Sequence, residues 1–144
     1  MADQHFLRLE VVSPDGPVFE GDVAMVVVPA SRGEMGILPR HAPLVAQLTI
    51  GEVRVKSLAG GWLSLAIAGG FLKVQFDKVI VLADAAELAT EIDAARSEAA
   101  LAKAQARIAK LRAGGVADDE EIDLYHEEMA VKRAKNRLKV LHKA

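Results

Sequence analysis

The sequence predicts a mixed β and α fold. An N-terminal antiparallel β-sandwich, residues 1–86, is followed by a C-terminal antiparallel hairpin of two helices, residues 87–144. All five prolines lie at or before Pro43, and nine of the eleven glycines and five of the six aromatic residues lie at or before Phe76. From Ala85 onward the chain has sixteen alanines and no proline. Proline and glycine mark turns between strands, whereas an alanine-rich stretch without proline favours helix.

Within the first 86 residues, short apolar segments alternate with turn signals, which is typical of a β-sandwich or a flattened barrel. Ser13-Pro14-Asp15-Gly16 is one such turn, and Gly69-Gly70 is predicted to separate two strands. The loop Ser31–Pro43 is stiffened by its glycines and prolines. The predicted strands are Phe6–Val12, Val23–Val28, Leu44–Ile50, Glu52–Lys56, Trp62–Ala68, Phe71–Phe76 and Val79–Leu82.

Two helices are predicted after the sheet, at Glu91–Arg112 and from about Asp118 to His142, with a turn near residues 113–118. Gly114-Gly115 ends the first helix, as glycine often does. Each helix has only a narrow apolar stripe, so the pair must pack on the sheet or on another protein. The stripes consist of Leu101, Ile108 and Leu111 in the first helix and Leu124, Val131, Leu138 and Leu141 in the second.

The charges of the second helix are sorted along its length. Residues 118–128 carry seven acids and no base, and residues 132–143 carry six bases and no acid. This order complements the helix dipole, which contributes about 0.3–1 kcal/mol for each well-placed charge. The same basic end would fit an acidic partner, so the pattern alone supports both interpretations.

Several function classes are disfavoured by composition and motifs. The chain has a net charge of −2 and a pI ≈ 6.1, whereas nucleic-acid-binding domains typically have a pI above ~9. It has no cysteine, which excludes disulfides and cysteine-based zinc sites. No spacing of histidines and acids matches a catalytic or metal-binding motif, so neither is predicted. The longest uncharged stretch, Ser57–Leu72, contains four glycines and is shorter than the ~20 residues of a spanning helix, so no membrane insertion is predicted.

Three segments, in order along the chain, resemble one family. Gly33–Leu44, with the sequence GEMGILPRHAPL, is similar to the signature of the epsilon subunit of bacterial F-type ATP synthase. Ala68–Val74 resembles the second conserved block of that family, and Val79–Glu87 resembles the block that closes its β-domain. The resemblance covers nearly the whole chain, and the predicted change from sheet to helix falls where the family has it.

The resemblance implies a non-catalytic subunit of a rotary, proton-transporting ATP synthase at the cytoplasmic face of the bacterial membrane. Such a subunit lies on the central stalk with the gamma subunit, near the membrane c-ring, and requires no cofactor. Its helices can extend towards the beta and alpha subunits and inhibit ATP hydrolysis. The expected contacts with the rotor ring are Glu34, Arg40 and His41. The expected inhibitory basic face comprises Lys132, Arg133, Lys135, Arg137 and Lys139.

The resemblance also implies a regulatory ATP site on the folded hairpin. The family pattern Ile/Leu-Asp-x-x-Arg-Ala is represented by Ile92-Asp93-Ala94-Ala95-Arg96-Ser97, with serine in place of the final alanine. Arg133 and Arg137 match the arginines of the second helix, and their spacing of four places them on one face. Arginines can hold phosphate by paired hydrogen bonds, while Asp93 equally fits a cap at the helix start. The alternative function, a stand-alone ATP-sensing module, leaves the β-domain unexplained.

Overall fold

The computed structural model describes residues 5–114 and 118–143 and confirms a β-sandwich followed by two helices. The predicted turn near residues 113–118 lies largely outside the described residues. The strands are β1 Leu7–Ser13, β2 Gly16–Ala30, β3 Gly33–Ile37, β4 Leu44–Ser57, β5 Trp62–Gln75, β6 Lys78–Ala83 and β7 Ala86–Leu88. A short 3₁₀ helix at Ala89–Glu91 leads to the helices α1 Ala94–Ala113 and α2 Asp118–Lys143.

The sheet closes on itself because β1 pairs with two neighbours. Its strands follow the order β1-β6-β5-β4-β2-β3, and β1 also pairs with β2. The β1–β6 pairing is parallel, and the other pairings are antiparallel. Alternate residues point inward, so that Leu7, Leu9 and Val11 are fully buried. Closure removes most free strand edges and gives the N-terminal domain one continuous apolar core.

Two predicted strand breaks are wrong, since β4 runs through Gly51 and β5 runs through Gly69-Gly70. Gly69 and Gly70 have φ of 84° and 132°, values that glycine adopts readily. A Cβ at position 70 would collide with the carbonyl oxygen of Leu82. These glycines therefore bend the strand and let β6 approach closely, rather than ending the strand.

Five of the thirteen residues of the predicted loop Ser31–Pro43 also form a strand. Gly33–Ile37 forms β3, which pairs antiparallel with β2 from Ala30 back to Val26. The loop prediction was wrong there because the glycines are followed by Ile37, which is fully buried in the core. An irregular turn at residues 38–43 then carries Arg40 and His41 to the start of β4.

The start of the first helix differs from the prediction by one turn. Residues 89–91 form a 3₁₀ helix, and α1 begins at Ala94, after Asp93. The Asp93 carboxylate accepts a hydrogen bond from the Arg96 backbone N–H at 3.1 Å, which confirms the predicted cap. At the other end, Gly114 has a helical conformation with φ −84°, so it does not use the left-handed conformation of a typical terminal glycine.

Small residues and ion pairs join the two helices. Ala104 of α1 and Ala134 of α2 are buried, and alanine allows backbones to approach closely. Arg107 pairs with Glu127 at 3.0 Å, and Arg112 pairs with Glu128 at 3.2 Å. The acidic half of α2 therefore faces arginines of α1, in addition to complementing the dipole of its own helix.

Candidate functional site

The hairpin is held on the sandwich through Asn136 of α2. Its side-chain amide donates hydrogen bonds to the backbone carbonyls of Gly51 at 2.9 Å and Ile67 at 3.4 Å. Gly51 of β4 and Ile67 of β5 face each other across the sheet. One side chain thus bridges two adjacent strands and fixes the position of α2 along them.

An irregularity in the sheet explains why these carbonyls accept a helix side chain. The pairing of β2 with β4 shifts register between Val27 and Ala30, close to Gly51. A Cβ at Gly51 would lie 2.6 Å from the Cβ of Pro29, so only glycine fits beside this proline. Since proline donates no hydrogen bond, the interruption leaves the Gly51 carbonyl available to Asn136.

A small apolar contact lies one helical turn further along α2. Val140 is fully buried and packs with Ala66, Ala89 and Ile92, with Leu141 at the margin. Val140 is not among the predicted stripe residues, which are Leu124, Val131, Leu138 and Leu141. Ile92, predicted as part of the ATP site, lies in this contact between the helices and the sandwich.

A cavity of about 170 Å³ lies between α2 and the sheet, beside Asn136. Arg133 and Arg137 line it from α2, so the structure brings the two predicted arginines together. Glu87 and Asp15 add acidic groups from the sandwich. The sequence does not predict a role for either acid in a site. Asp15 lies in the turn signal Ser13-Pro14-Asp15-Gly16, and Glu87 ends the segment Val79–Glu87.

The other residues of the predicted ATP pattern lie on α1. Asp93 and Arg96 are exposed at its N-terminus, and neither is among the residues that line the cavity. The Asp93 carboxylate is engaged in capping. Ile92 connects the two places, because it packs in the same cluster as Val140 of α2.

The five residues of the predicted basic face do not share one face. Arg133 and Arg137 line the cavity against the sandwich. Lys132, Lys135 and Lys139 are exposed, and their spacings of three and four place them on one side of the helix. These lysines line an open hollow with Ile50 of β4 and Asn136, so in the folded hairpin the lysines and the arginines flank Asn136 on opposite sides of α2.

The predicted ring contacts occupy two positions in the N-terminal domain. Glu34 lies on β3 and forms an ion pair with Arg54 of β4 at 2.8 Å. Arg40 lies in the following turn with φ 68°, and its backbone N–H donates to the Asp77 carboxylate at 2.5 Å. The His41 Nδ1 lies 2.7 Å from the carbonyl of Ala42. No sequence pattern indicates the partners Arg54 and Asp77, since each comes from a distant strand or turn.

Both halves of the chain match models of one known protein family. The model for the β-sandwich domain of the ATP synthase delta/epsilon chain matches residues 6–89. The model for the long α-helix domain of the same chain matches residues 90–142. The chain belongs to the ATP synthase delta/epsilon family.

Curated relatives of this delta/epsilon family match over almost their full length. The ATP synthase epsilon chain of Halalkalibacterium halodurans is 47% identical over 135 residues, covering 93% of this chain and 96% of the relative. That of Desulforamulus reducens is 42% identical over 132 residues, covering 92% and 94%. A chain in the Euglena gracilis mitochondrial ATP synthase, in a structure of OSCP, F1 and c-ring, superimposes with a TM-score of 0.77 at 26% identity, covering 96% of this chain and 83% of that one.

The described residues contain neither a membrane-spanning helix nor a cluster of metal ligands. No helix in this part of the delta/epsilon chain is long and apolar enough to cross a membrane. Likewise, no three histidine, aspartate or glutamate side chains among these residues come together as metal ligands.

Replacing Asn136 tests how the hairpin is held. Asn136→Ala removes both hydrogen bonds while raising helix propensity, so a loosened helix cannot be attributed to poorer helix formation. A loss of about 1 kcal/mol would make opening of α2 about fivefold more frequent, measured by amide hydrogen exchange of residues 134–141. Lys132→Ala, at an exposed position of the same helix, is the control. Equal exchange rates in the two variants would show that Asn136 does not hold the helix.

Proposed function

We propose that this protein is a non-catalytic central-stalk subunit of a rotary, proton-transporting ATP synthase. The observation that carries the proposal is that both structural parts, in order, match the delta/epsilon chain over residues 6–142. The epsilon chains of bacterial relatives match it over more than nine-tenths of their length. Its working site is the cytoplasmic face of the bacterial membrane, reached through partners rather than through a spanning segment.

A closed β-domain suits transmission of torque. Its core is continuous, and close-packed interiors have low compressibility and transmit strain. We expect this domain to dock on the gamma subunit and to touch the c-ring through Glu34, Arg40 and His41. The Glu34 side chain is held by Arg54. Asp77 holds the backbone of Arg40, and the Arg40 guanidinium lies 2.7 Å from Nε2 of His5, so both side chains are oriented before contact.

The hairpin is the regulatory part in this proposal. Its attachment to the sandwich comprises the Asn136 hydrogen bonds and a small apolar cluster around Val140. Structures with few apolar contacts open at low free-energy cost. When α2 detaches and extends, its exposed lysines are joined by the two arginines that leave the cavity. Together they can face acidic surfaces of the beta and alpha subunits and block ATP hydrolysis.

Charge reversal of the three exposed lysines of α2 tests whether this helix inhibits ATP hydrolysis. In a synthase reconstituted with this subunit, we expect Lys132→Glu, Lys135→Glu and Lys139→Glu together to raise ATP hydrolysis, because repulsion replaces attraction to the acidic partner. The effect should shrink at high salt, where exposed charges are screened. A matched control reverses Lys103 and Lys110 of α1. The inhibitory role would be contradicted if both variants hydrolysed ATP at the wild-type rate.

The arginine cavity is the proposed regulatory ATP site. Arg133 and Arg137 both line this cavity, and their guanidinium groups can donate hydrogen bonds to phosphate oxygens. Asp93 and Arg96 at the start of α1 belong to the same proposed site, with Ile92 in the packed cluster between them and α2. A ligand held by both helices and the sandwich stabilises the folded hairpin by mass action.

Titration of the isolated chain with ATP tests this site. We expect a saturable signal at millimolar ATP or below, and a rise in melting temperature that grows with ATP concentration. Arg133→Ala and Arg137→Ala should each abolish both changes, because each removes a phosphate partner. Lys132→Ala, which removes a neighbouring cation outside the cavity, should leave them intact. Absence of saturation in the wild-type chain would remove ATP from the proposal and leave the stalk function in place.

The stand-alone ATP-sensing module is disfavoured by the same comparisons. Such a module needs the arginine face but gives no reason for the β-domain, whose match to the delta/epsilon family covers residues 6–89.

A further inference from the structure

The turn between β5 and β6 has an unusual residue at its tip. Gln75 pairs with Lys78 across the sheet, so the turn consists of Phe76 and Asp77 alone. Both residues have positive φ, 51° and 59°. Two-residue turns of this kind strongly favour Asn-Gly, because left-handed backbone is unfavourable for residues with bulky side chains. Phe76 therefore occupies a position where asparagine or glycine would be more stable.

The Phe76 side chain is also unfavourably placed in water. It is 87% exposed, more than any other large apolar side chain that the structure describes. A large exposed aromatic group on a rigid turn is typical of a contact that is buried in a complex. Backbone strain and exposure are thus combined at one residue, and neither improves the stability of the isolated chain.

The tip is joined to the segment already proposed to contact the c-ring. The carboxylate of Asp77 accepts the hydrogen bond from the backbone N–H of Arg40, which immediately precedes His41. Phe76 therefore lies on the surface that continues from Arg40, at the same end of the domain. Leu58, another exposed apolar residue, follows the opposite end of β4 and lies in the turn at the opposite end of β5.

The immediate surroundings of Phe76 indicate the chemistry of its partner. A shallow hollow of about 350 Å³ lies beside the ring and is lined by Lys73, Gln75, Phe76, Lys78 and Ile80. Its two cations are Lys73 and Lys78, and Lys78 forms an ion pair with Glu10 at 3.8 Å, so Lys73 is the cation available to a partner. The hollow fits a surface in which an apolar recess lies next to a carboxylate.

We propose that the Phe76 turn is a further contact of this subunit with the c-ring. Phe76 enters an apolar recess on the ring surface, and Lys73 lies opposite a carboxylate there. The inference rests on the proposed function, because that function supplies the ring as the partner next to Arg40. The contribution of Phe76 to ring binding can be separated from its effect on folding, since replacing Phe76 by asparagine should stabilise the chain.

The test compares Phe76→Asn with Leu58→Asn in the full-length chain. Phe76→Asn should raise the melting temperature, because asparagine tolerates left-handed backbone. It should also weaken binding to a purified, detergent-solubilised rotor of gamma subunit and c-ring by about tenfold, the loss expected for a buried aromatic anchor. Its binding to gamma alone should not change. Leu58→Asn should leave binding to both unchanged.

Lys73→Glu provides a second variant that does not depend on the turn conformation. It should weaken rotor binding at low salt, with a smaller effect at high salt. The proposal is overturned if both variants bind the rotor as the wild type does, or if Phe76→Asn melts earlier and loses binding through unfolding. It is equally overturned if Phe76→Asn weakens binding to gamma alone, or if the wild-type chain binds anionic lipid vesicles and Phe76→Asn abolishes that binding while rotor binding is unchanged. Failure of the wild-type chain to bind the rotor would instead contradict the proposed function.

Discussion

The folded position of the hairpin depends on one polar contact, the two hydrogen bonds from the Asn136 amide to carbonyls of β4 and β5. The helices bury little apolar surface against the sheet, because their inner face is largely alanine and charged residues. Val140 is the fully buried apolar residue of α2 at this contact. Because the Asn136 amide bridges two strands, it sets the orientation of α2 and its position along the sheet. The small apolar cluster around Val140 does not set either of them.

This arrangement gives the two faces of α2 different exposure in the docked state. The arginines line the cavity against the sandwich, whereas the lysines at 132, 135 and 139 are exposed and line an open hollow beside Ile50. A ligand bound by the arginines favours the docked helix, and a partner that requires the whole basic half favours the detached one. The two kinds of binding therefore compete through one equilibrium, as linkage requires.

The parts of the fold that rest on local periodicity were predictable from sequence. The alternation in Leu7–Ser13, the alanine-rich helices and the cap at Asp93 all followed from neighbours in the chain. The roles of Gly51 and Gly70 did not, because each depends on a close approach to a distant residue, Pro29 or Leu82. A glycine that breaks a strand and one that bends it look the same in the sequence.

The site was predictable only where residues lie on one helix. The spacing of Arg133 and Arg137 brought them to one cavity, as expected. Asn136 was not identified, because its acceptors are backbone carbonyls, which no side-chain pattern reveals. The partners of Glu34 and Arg40 come from β4 and from the β5–β6 turn, and those contacts follow from the pairing of distant strands in the sheet.

The central claim is that the docked hairpin is one of two states of α2, held by a small contact. Since the chain has no cysteine, spin labels can be attached to single cysteines at the exposed positions Leu58 and Lys139, and their separation measured by pulsed electron paramagnetic resonance. We expect one short distance in the isolated chain with ATP, and a second, longer distance in the assembled synthase after ATP is removed. A single short distance under both conditions would contradict the account.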